Sequence, residues 1–288
     1  MFEYTYFSEV MLLTRSDYPD ELECWLEWYL NILGFDHIVL FDNESQINIQ
    51  SVLSKFPKEK IEYRYIKGWP NQYALYTEYL RQSKANWVIA LDDDEYLYIG
   101  ERFNHNIKCL IEYLSQYEKN KIYLLWVNMF SPQYLKKRNG VYIKSHTAYS
   151  YNACRRLYSS WPQDNGWGKC LINNQFSYEY SHQSNSGHIP ECLNGDNTTI
   201  LYDGTEIKGG HVDSVNSIQE DCFIAHYQFK SDYDWEQKCI RPLADTQKRN
   251  IQSRKHVYRN LYDYSSTFKE CVLLKELYIK YLNKRGLG

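Results

Sequence analysis

No run of residues approaches the roughly 20 consecutive apolar positions that a membrane-crossing helix needs, and the opening MFEYTYFSEVMLL lacks the basic flank and small-residue cleavage site of a secretory leader. A cytoplasmic protein, soluble or peripheral on a membrane, is expected. Charge of one sign is also missing: 33 basic residues nearly balance 36 acidic ones, leaving a formal net charge of -3. That balance excludes a general attraction for nucleic acid, so any phosphate site has to be local. The eight cysteines form no C-x-x-C pair and no finger-like spacing, which argues against a zinc finger or a small disulfide scaffold and for reduced thiols. Internal repeats, low-complexity tracts and interdomain linkers are absent too. The expectation is one domain over 1–288, with halves at 1–127 and 128–267 and a C-terminal helix at 268–288.

What the chain has in quantity is aromatic residues, 29 Tyr and 8 Trp. They serve either as ordinary core or as flat surfaces for sugars and bases. The first hundred residues alternate between strand-like and helix-like patterns, as in an α/β fold with a mixed, mainly parallel sheet flanked by helices. A strand over 9–14 leads to a helix over 19–33 with Leu22, Trp25, Leu26, Tyr29 and Leu33 on one face; Asp20 and Glu23 have capping-box spacing, and Gly34 closes the helix. Strands follow at 37–41, 61–66, 87–91 and 122–127, with helices at 49–56, 72–83 and 106–117 between them. Residues 128–210 read as short strands and long loops, suited to binding an acceptor. A strand at 223–229, a helix at 232–240 capped by Ser231, and an amphipathic helix at 268–285 complete the chain. This last helix either lies on an anionic membrane or packs on its own domain, and packing is favoured.

The densest chemical signal is Asp92-Asp93-Asp94-Glu95, placed directly after Trp87-Val-Ile-Ala-Leu91. Adjacent carboxylates at a strand end repel one another and call for a positive partner. A divalent ion with oxygen ligands, Mg2+ or Mn2+, is that partner on one reading, and it would hold a diphosphate; a solvated acidic turn is the plainer one. In an extended segment Asp92 and Asp94 point the same way and Asp93 the other. Asp42-Asn43-Glu44-Ser45, after the strand at 37–41, lies where open α/β sheets bind ligands, though a plain turn cap fits it equally.

Three strings resemble a known family. LLTRSDYPDELECWLEWYLNILGFDHIVLFDNESQ is similar to the opening of the family 92-like and family 2-like glycosyltransferases, WVIALDDDEYL to their W-x-x-x-x-D-x-D-E-F-L, and HYQFKSDYDWEQKCIR to their H-Y-x-x-K-S-x-x-x-F-x-x-K-x-x-R. The order and separations agree over most of the chain. The resemblance implies a GT-A fold, a nucleotide diphosphate sugar as donor and a divalent metal. It makes Asp92, Asp94 and His226 the metal ligands, and an imidazole ligand suits Mn2+ better than Mg2+. Asp42, Asn43 and Ser45 would hold base and ribose, with Asp93 and Lys169 lining the same donor site. Arg15 would face the base or a phosphate, although Ser16 stands where the family has Asn. Lys230 would neutralise the leaving diphosphate.

The implied reaction is displacement at the anomeric carbon with inversion, which needs a base near the acceptor hydroxyl. Asp164, in the Trp-rich loop SSWPQDNGWG, is the candidate; Glu179, His182 and His188 are rivals, and Trp161 and Trp167 are candidates to stack on an acceptor sugar. By analogy the donor is a UDP-hexose such as UDP-galactose and the acceptor a lipid-linked glycan or lipopolysaccharide. Two other functions stay open: a metal-dependent phosphohydrolase, and a noncatalytic carbohydrate-binding protein on the same fold.

Overall fold

The structure, a computed structural model, describes residues 6–68, 71–150, 167–181, 189–207, 221–240 and 256–287. The strands are β1 (Ser8–Thr14), β2 (His37–Asp42), β3 (Ile61–Tyr65), β4 (Trp87–Leu91), β5 (Glu95–Ile99), β6 (Lys121–Phe130), β7 (Ala148–Tyr149), β8 (Gly168–Asn173), β9 (Tyr178–Glu179), β10 (Glu191–Cys192), β11 (Thr199–Ile200), β12 (Glu206–Ile207), β13 (Cys222–Phe229) and β14 (Lys269–Glu270). Twelve of them form one sheet, with helices packed against it. Its N-terminal part runs β3-β2-β1-β4, all parallel. This is the 3-2-1-4 order of a Rossmann-like sheet, whose chain reverses direction across the sheet between β1 and β4 and leaves a crevice at the strands' carboxyl ends.

Beyond β4 the sheet becomes mixed. β8 runs antiparallel between β4 and β6, and it passes so close to β6 that a Cβ on Gly168 would lie 2.0 Å from the Leu124 carbonyl oxygen. β13 pairs in parallel with β6 and antiparallel with β5, which carries the C-terminal part of the chain back to the acid-bearing segment. β1, β2, β4 and β5 are buried on both faces nearly throughout, the pattern of strands covered by helices on either side.

The first helix shows how the sequence builds the site. Its apolar face, Leu22, Trp25, Leu26, Tyr29 and Leu33, is fully buried as expected. Residues Pro19–Glu27 are α-helical, and Trp28–Ile32 widen into a π turn closed by Leu33 N–H to Trp28 O. The wider turn turns both Trp28 and Tyr29 inward. Trp25 Nε1 donates to Glu95 O at 3.0 Å, Trp28 Nε1 to Leu97 O at 2.8 Å and Tyr29 Oη to Glu95 O at 3.0 Å, so the helix grips β5. The capping box does not form. Tyr18 is the N-cap with no side-chain bond, because Pro19 takes the first helical position; Asp20 instead accepts from Arg138. Gly34 ends the helix at φ 74, the left-handed conformation that suits glycine.

Two further differences concern element limits. Glu95–Ile99 is a strand where the sequence reading placed no element. The last helix starts at Leu273, after β14 has paired with β7. Leu274 and Tyr278 face the core, while Arg285 Nη1 and Tyr281 Oη bond Glu27, so the helix packs on its own domain. Among the described residues no helix is long and apolar enough to cross a membrane.

Candidate active site

The acid cluster sits at the carboxyl end of β4, beside the crevice between β1 and β4. The segment is not extended, as the alternation argument requires. Glu95 N–H bonds Asp92 O at 3.1 Å and closes a turn, so the three aspartates point three ways. Each meets a lysine from a different stretch of chain. Asp92 accepts from Lys169 of β8 at 3.2 Å and from Gln72 at 3.0 Å. Asp93 accepts from Thr14 Oγ1 of β1 at 2.6 Å, across the crevice, and lies 3.8 Å from Lys230 Nζ. Asp94 lies 3.3 Å from Lys238 Nζ and 3.5 Å from His226 Nε2.

His226 reaches Asp94 because β13 pairs with β5 in a register that sets His226 opposite Glu95, and Tyr227 N–H bonds Asp94 O at 2.7 Å. The imidazole packs on Trp126 with ring centroids 4.4 Å apart, and its Nδ1 is buried with no hydrogen-bond partner. Burial pushes the His226 pKa down despite the Asp94 carboxylate beside it, so the ring is neutral. Burial also opposes charge on Asp94, but Lys238, His226 and Lys230 outweigh it and hold the carboxyl well below the usual range. A neutral imidazole facing a firm carboxylate is the protonation state a metal requires. Among the described residues, however, no three His, Cys, Asp or Glu side chains converge as a ready-made metal site. Asp92 stands apart from the pair, held by Lys169.

Glu95 lies beneath the cluster, fully buried. Its Oε2 accepts from Asp92 N–H at 3.0 Å and lies 3.7 Å from Lys169 Nζ, and Oε1 has no partner. Burial drives its pKa upward, against the lowering effect of the Lys169 ammonium. Lys169 is buried too, which opposes its charge, yet the carboxylates beside it, Asp92 foremost, raise its pKa above the ordinary lysine value. Lys230 lies over the Tyr142 ring at 5.1 Å. His146 Nε2–H donates to the Lys230 carbonyl at 2.6 Å, and burial pushes the His146 pKa down to about 4.

Around the second strand end the expected nucleotide contacts are tied to one another. Arg15 donates to Asn43 O and Oδ1, both at 2.8 Å. Asn43 donates to Ile66 O and Gly68 O, Asp42 accepts from Ser45 N–H and Tyr63 Oη, and Ser45 Oγ accepts from Ser16 N–H. Glu44 takes a positive φ of 58 in this turn. Arg15 keeps 30% of its side chain exposed, which leaves a guanidinium at the mouth of the crevice.

Asp164, Trp161, His182 and His188 lie outside the described residues. Glu179 is exposed on β9, and Trp167 O accepts from Trp126 N–H at 2.6 Å. The sequence reading did not single out Thr14, Gln72, Glu95 or Lys238. Lys238 stands within HYQFKSDYDWEQKCIR and Glu95 within WVIALDDDEYL, so their signal was the motif itself; Thr14 and Gln72 gave none.

No family profile matches the chain, and no curated protein matches it. Among solved structures it is similar to S. aureus TarS 1-349, at 10% identity over 89% of this chain and 72% of that one, with a TM-score of 0.37. A second S. aureus TarS structure matches at 15% identity over 48% of this chain, with a TM-score of 0.30, and there the chain spans only 26% of the other's length. Glucosyl-3-phosphoglycerate synthase from Mycobacterium tuberculosis, in complex with Mn2+, UDP and phosphoglyceric acid, matches at 9% identity over 59% of this chain and 57% of that one, with a TM-score of 0.32. Similarities this low fix neither the ancestry nor the activity of this chain.

Proposed function

We propose that the protein is a metal-dependent glycosyltransferase of the GT-A type, moving a hexose from a nucleoside diphosphate sugar to a glycan acceptor. One observation carries the reading: Asp94, at the carboxyl end of β4, and His226, brought back on β13, face each other at 3.5 Å beside the β1–β4 crevice.

The pair fits a divalent ion. Two donors each about 2.1 Å from an ion, at 90–110° to one another, stand about 3.0–3.5 Å apart. Ions of this kind usually take one or two protein ligands and complete their shell with substrate phosphates and water, so a pair suffices where a closed triad is missing. Asp94 and His226 would hold the ion, while Asp92 stays turned to Lys169 and Gln72. When bound, it supplies a Lewis acid for the departing diphosphate. Imidazole in the set favours Mn2+ over Mg2+.

The chain's own groups do the rest. Lys230, kept charged by Asp93 and Asp94 in spite of burial, supplies a fixed positive charge toward the leaving nucleoside diphosphate. Thr14 and Asp93 bridge β1 and β4 and set the floor of the crevice. Arg15 at its mouth pairs with the base or a phosphate, and the turn at Asp42, Asn43 and Ser45 shapes the pocket for base and ribose. Inversion, a UDP-hexose donor and a lipid-linked or lipopolysaccharide acceptor complete the proposal, with Asp164 as the base. The phosphohydrolase reading is disfavoured because it calls for an Asp nucleophile on an early strand and a second acidic cluster downstream, and the sequence shows neither clearly.

The test is a panel of nucleotide sugars assayed for nucleoside diphosphate release with Mn2+, Mg2+ or EDTA. Metal-dependent release with one donor class is the expected result. No release from any donor, combined with glycan binding, would leave the noncatalytic reading in its place.

A further inference from the structure

Of the three lysines that meet the acid cluster, two are locked. Lys169 keeps 6% of its side chain exposed and Lys230 22%. Lys238 differs: it sits in the last turn of the helix Asp232–Ile240, with 42% of its side chain exposed, and only its ammonium reaches inward, to Asp94 Oδ2 at 3.3 Å. Asp94 itself is 8% exposed. The same carboxylate therefore faces His226 through one oxygen and Lys238 through the other.

We propose that Lys238 is a placeholder cation: it neutralises Asp94 in the metal-free protein, and it must swing out to solvent before Asp94 and His226 take up a divalent ion. This rests on the metal reading above and deepens it. A buried carboxylate without a counter-charge is costly, and the half-exposed lysine supplies one from the neighbouring helix. A cation arriving at Asp94 meets an ammonium already there, and the two repel. Displacing Lys238 adds a positive charge to a mouth that already holds Lys230 and the ion. A nucleoside diphosphate supplies the negative charge that balances the set, so ion and donor bind together rather than in turn, a coupling that is reciprocal by linkage.

The test is Mn2+ binding, followed by the loss of the free-ion electron paramagnetic resonance signal, with and without UDP. The proteins are the wild type, Lys238→Ala, Lys238→Met and, as a control for one lost charge on the exposed surface, Lys136→Met; circular dichroism checks that each folds. Without UDP both Lys238 variants bind Mn2+ about tenfold more tightly than the wild type, since the competing charge is half-exposed and its effect is screened. With UDP that gap shrinks to about twofold, and Lys136→Met follows the wild type throughout. Equal Mn2+ affinity in the wild type and the Lys238 variants overturns the placeholder role and leaves the metal site standing. No Mn2+ uptake by any of the proteins, with UDP or without, overturns both.

Discussion

At the scale of single residues, each aspartate of the acid cluster is paired with a lysine. Lys169 is the main one: it is enclosed by Asp92, Glu95 and the Trp126 ring. Removing one partner of a buried ion pair costs about 3 kcal/mol or more, because the other is left uncompensated. Asp92, however, keeps 35% of its side chain exposed and has a second donor in Gln72, so the screened cost is smaller: Lys169→Met is expected to lower the unfolding free energy by about 1 kcal/mol in urea titrations, and no measurable change would show that water already satisfies Asp92. Asp94→Asn separates function from fold. It keeps the size and the hydrogen-bonding oxygen but removes the charge that faces His226 and Lys238. Nucleoside diphosphate release should fall at least about hundredfold with little change in melting temperature, and full activity in that variant would displace the metal from this corner. Glu95 could not be separated from its neighbours by reading: four acids in a row look alike in sequence, and only the pairing of β5 with β13 shows that the fourth is buried.

At the scale of elements, the segment before the helix Tyr142–Ser145 ties the C-terminal half to the first helix. Arg138 bonds Asp20 and Glu21, and Tyr142 N–H donates to Glu21 Oε1 at 2.9 Å. Burial raises the Glu21 pKa to about 8, against the lowering effect of Lys230 and Arg138. Its folded value thus lies above its unfolded one, near 4.5, and between these values the folded protein binds more protons. Stability from this group is full below about pH 4.5 and is lost as pH rises through about 8. Glu21→Gln, which keeps an acceptor for Arg138 and Tyr142, should gain melting temperature relative to the wild type as pH is raised from 5 to 9; parallel curves would refute the assignment. A glutamate in the first turn of a helix reads as a solvated partner of the helix dipole, and nothing local reveals that a segment more than a hundred residues later will bury it. The strands and helices of the N-terminal half, by contrast, were legible because each carries its own periodicity. The carboxyl ends of β2 and β4 followed from them. The π turn at Trp28 was not legible, since LEWYLNIL keeps a helical stripe whether or not one turn is widened.

At the scale of the whole molecule, donor and ion would bind groups from two distant parts of the chain. Arg15, Asp42 and Asn43 stand at the carboxyl ends of β1 and β2, while His226 and Lys238 come from β13 and the helix after it. Among the described residues the two sets are joined through the Asp92–Glu95 turn, where β13 pairs with β5, and through Tyr18 Oη, which donates to Asp234 of the helix after β13. On the proposed function, a nucleotide alone would contact the first set, and with the ion it would be bonded to the second as well. Hydrogen exchange should therefore slow around Asn43 and Ser45 with UDP alone. With UDP and Mn2+ together it should also slow around His226 and through the helix Asp232–Ile240. The joint complex should raise the melting temperature well beyond the sum of the two ligands taken separately, because a ligand at about a hundred times its dissociation constant adds about 2.7 kcal/mol to stability, and here each ligand tightens the other. Additive effects, or protection confined to the β1 and β2 ends when both are present, would mean that the C-terminal strand closes the sheet without closing the site.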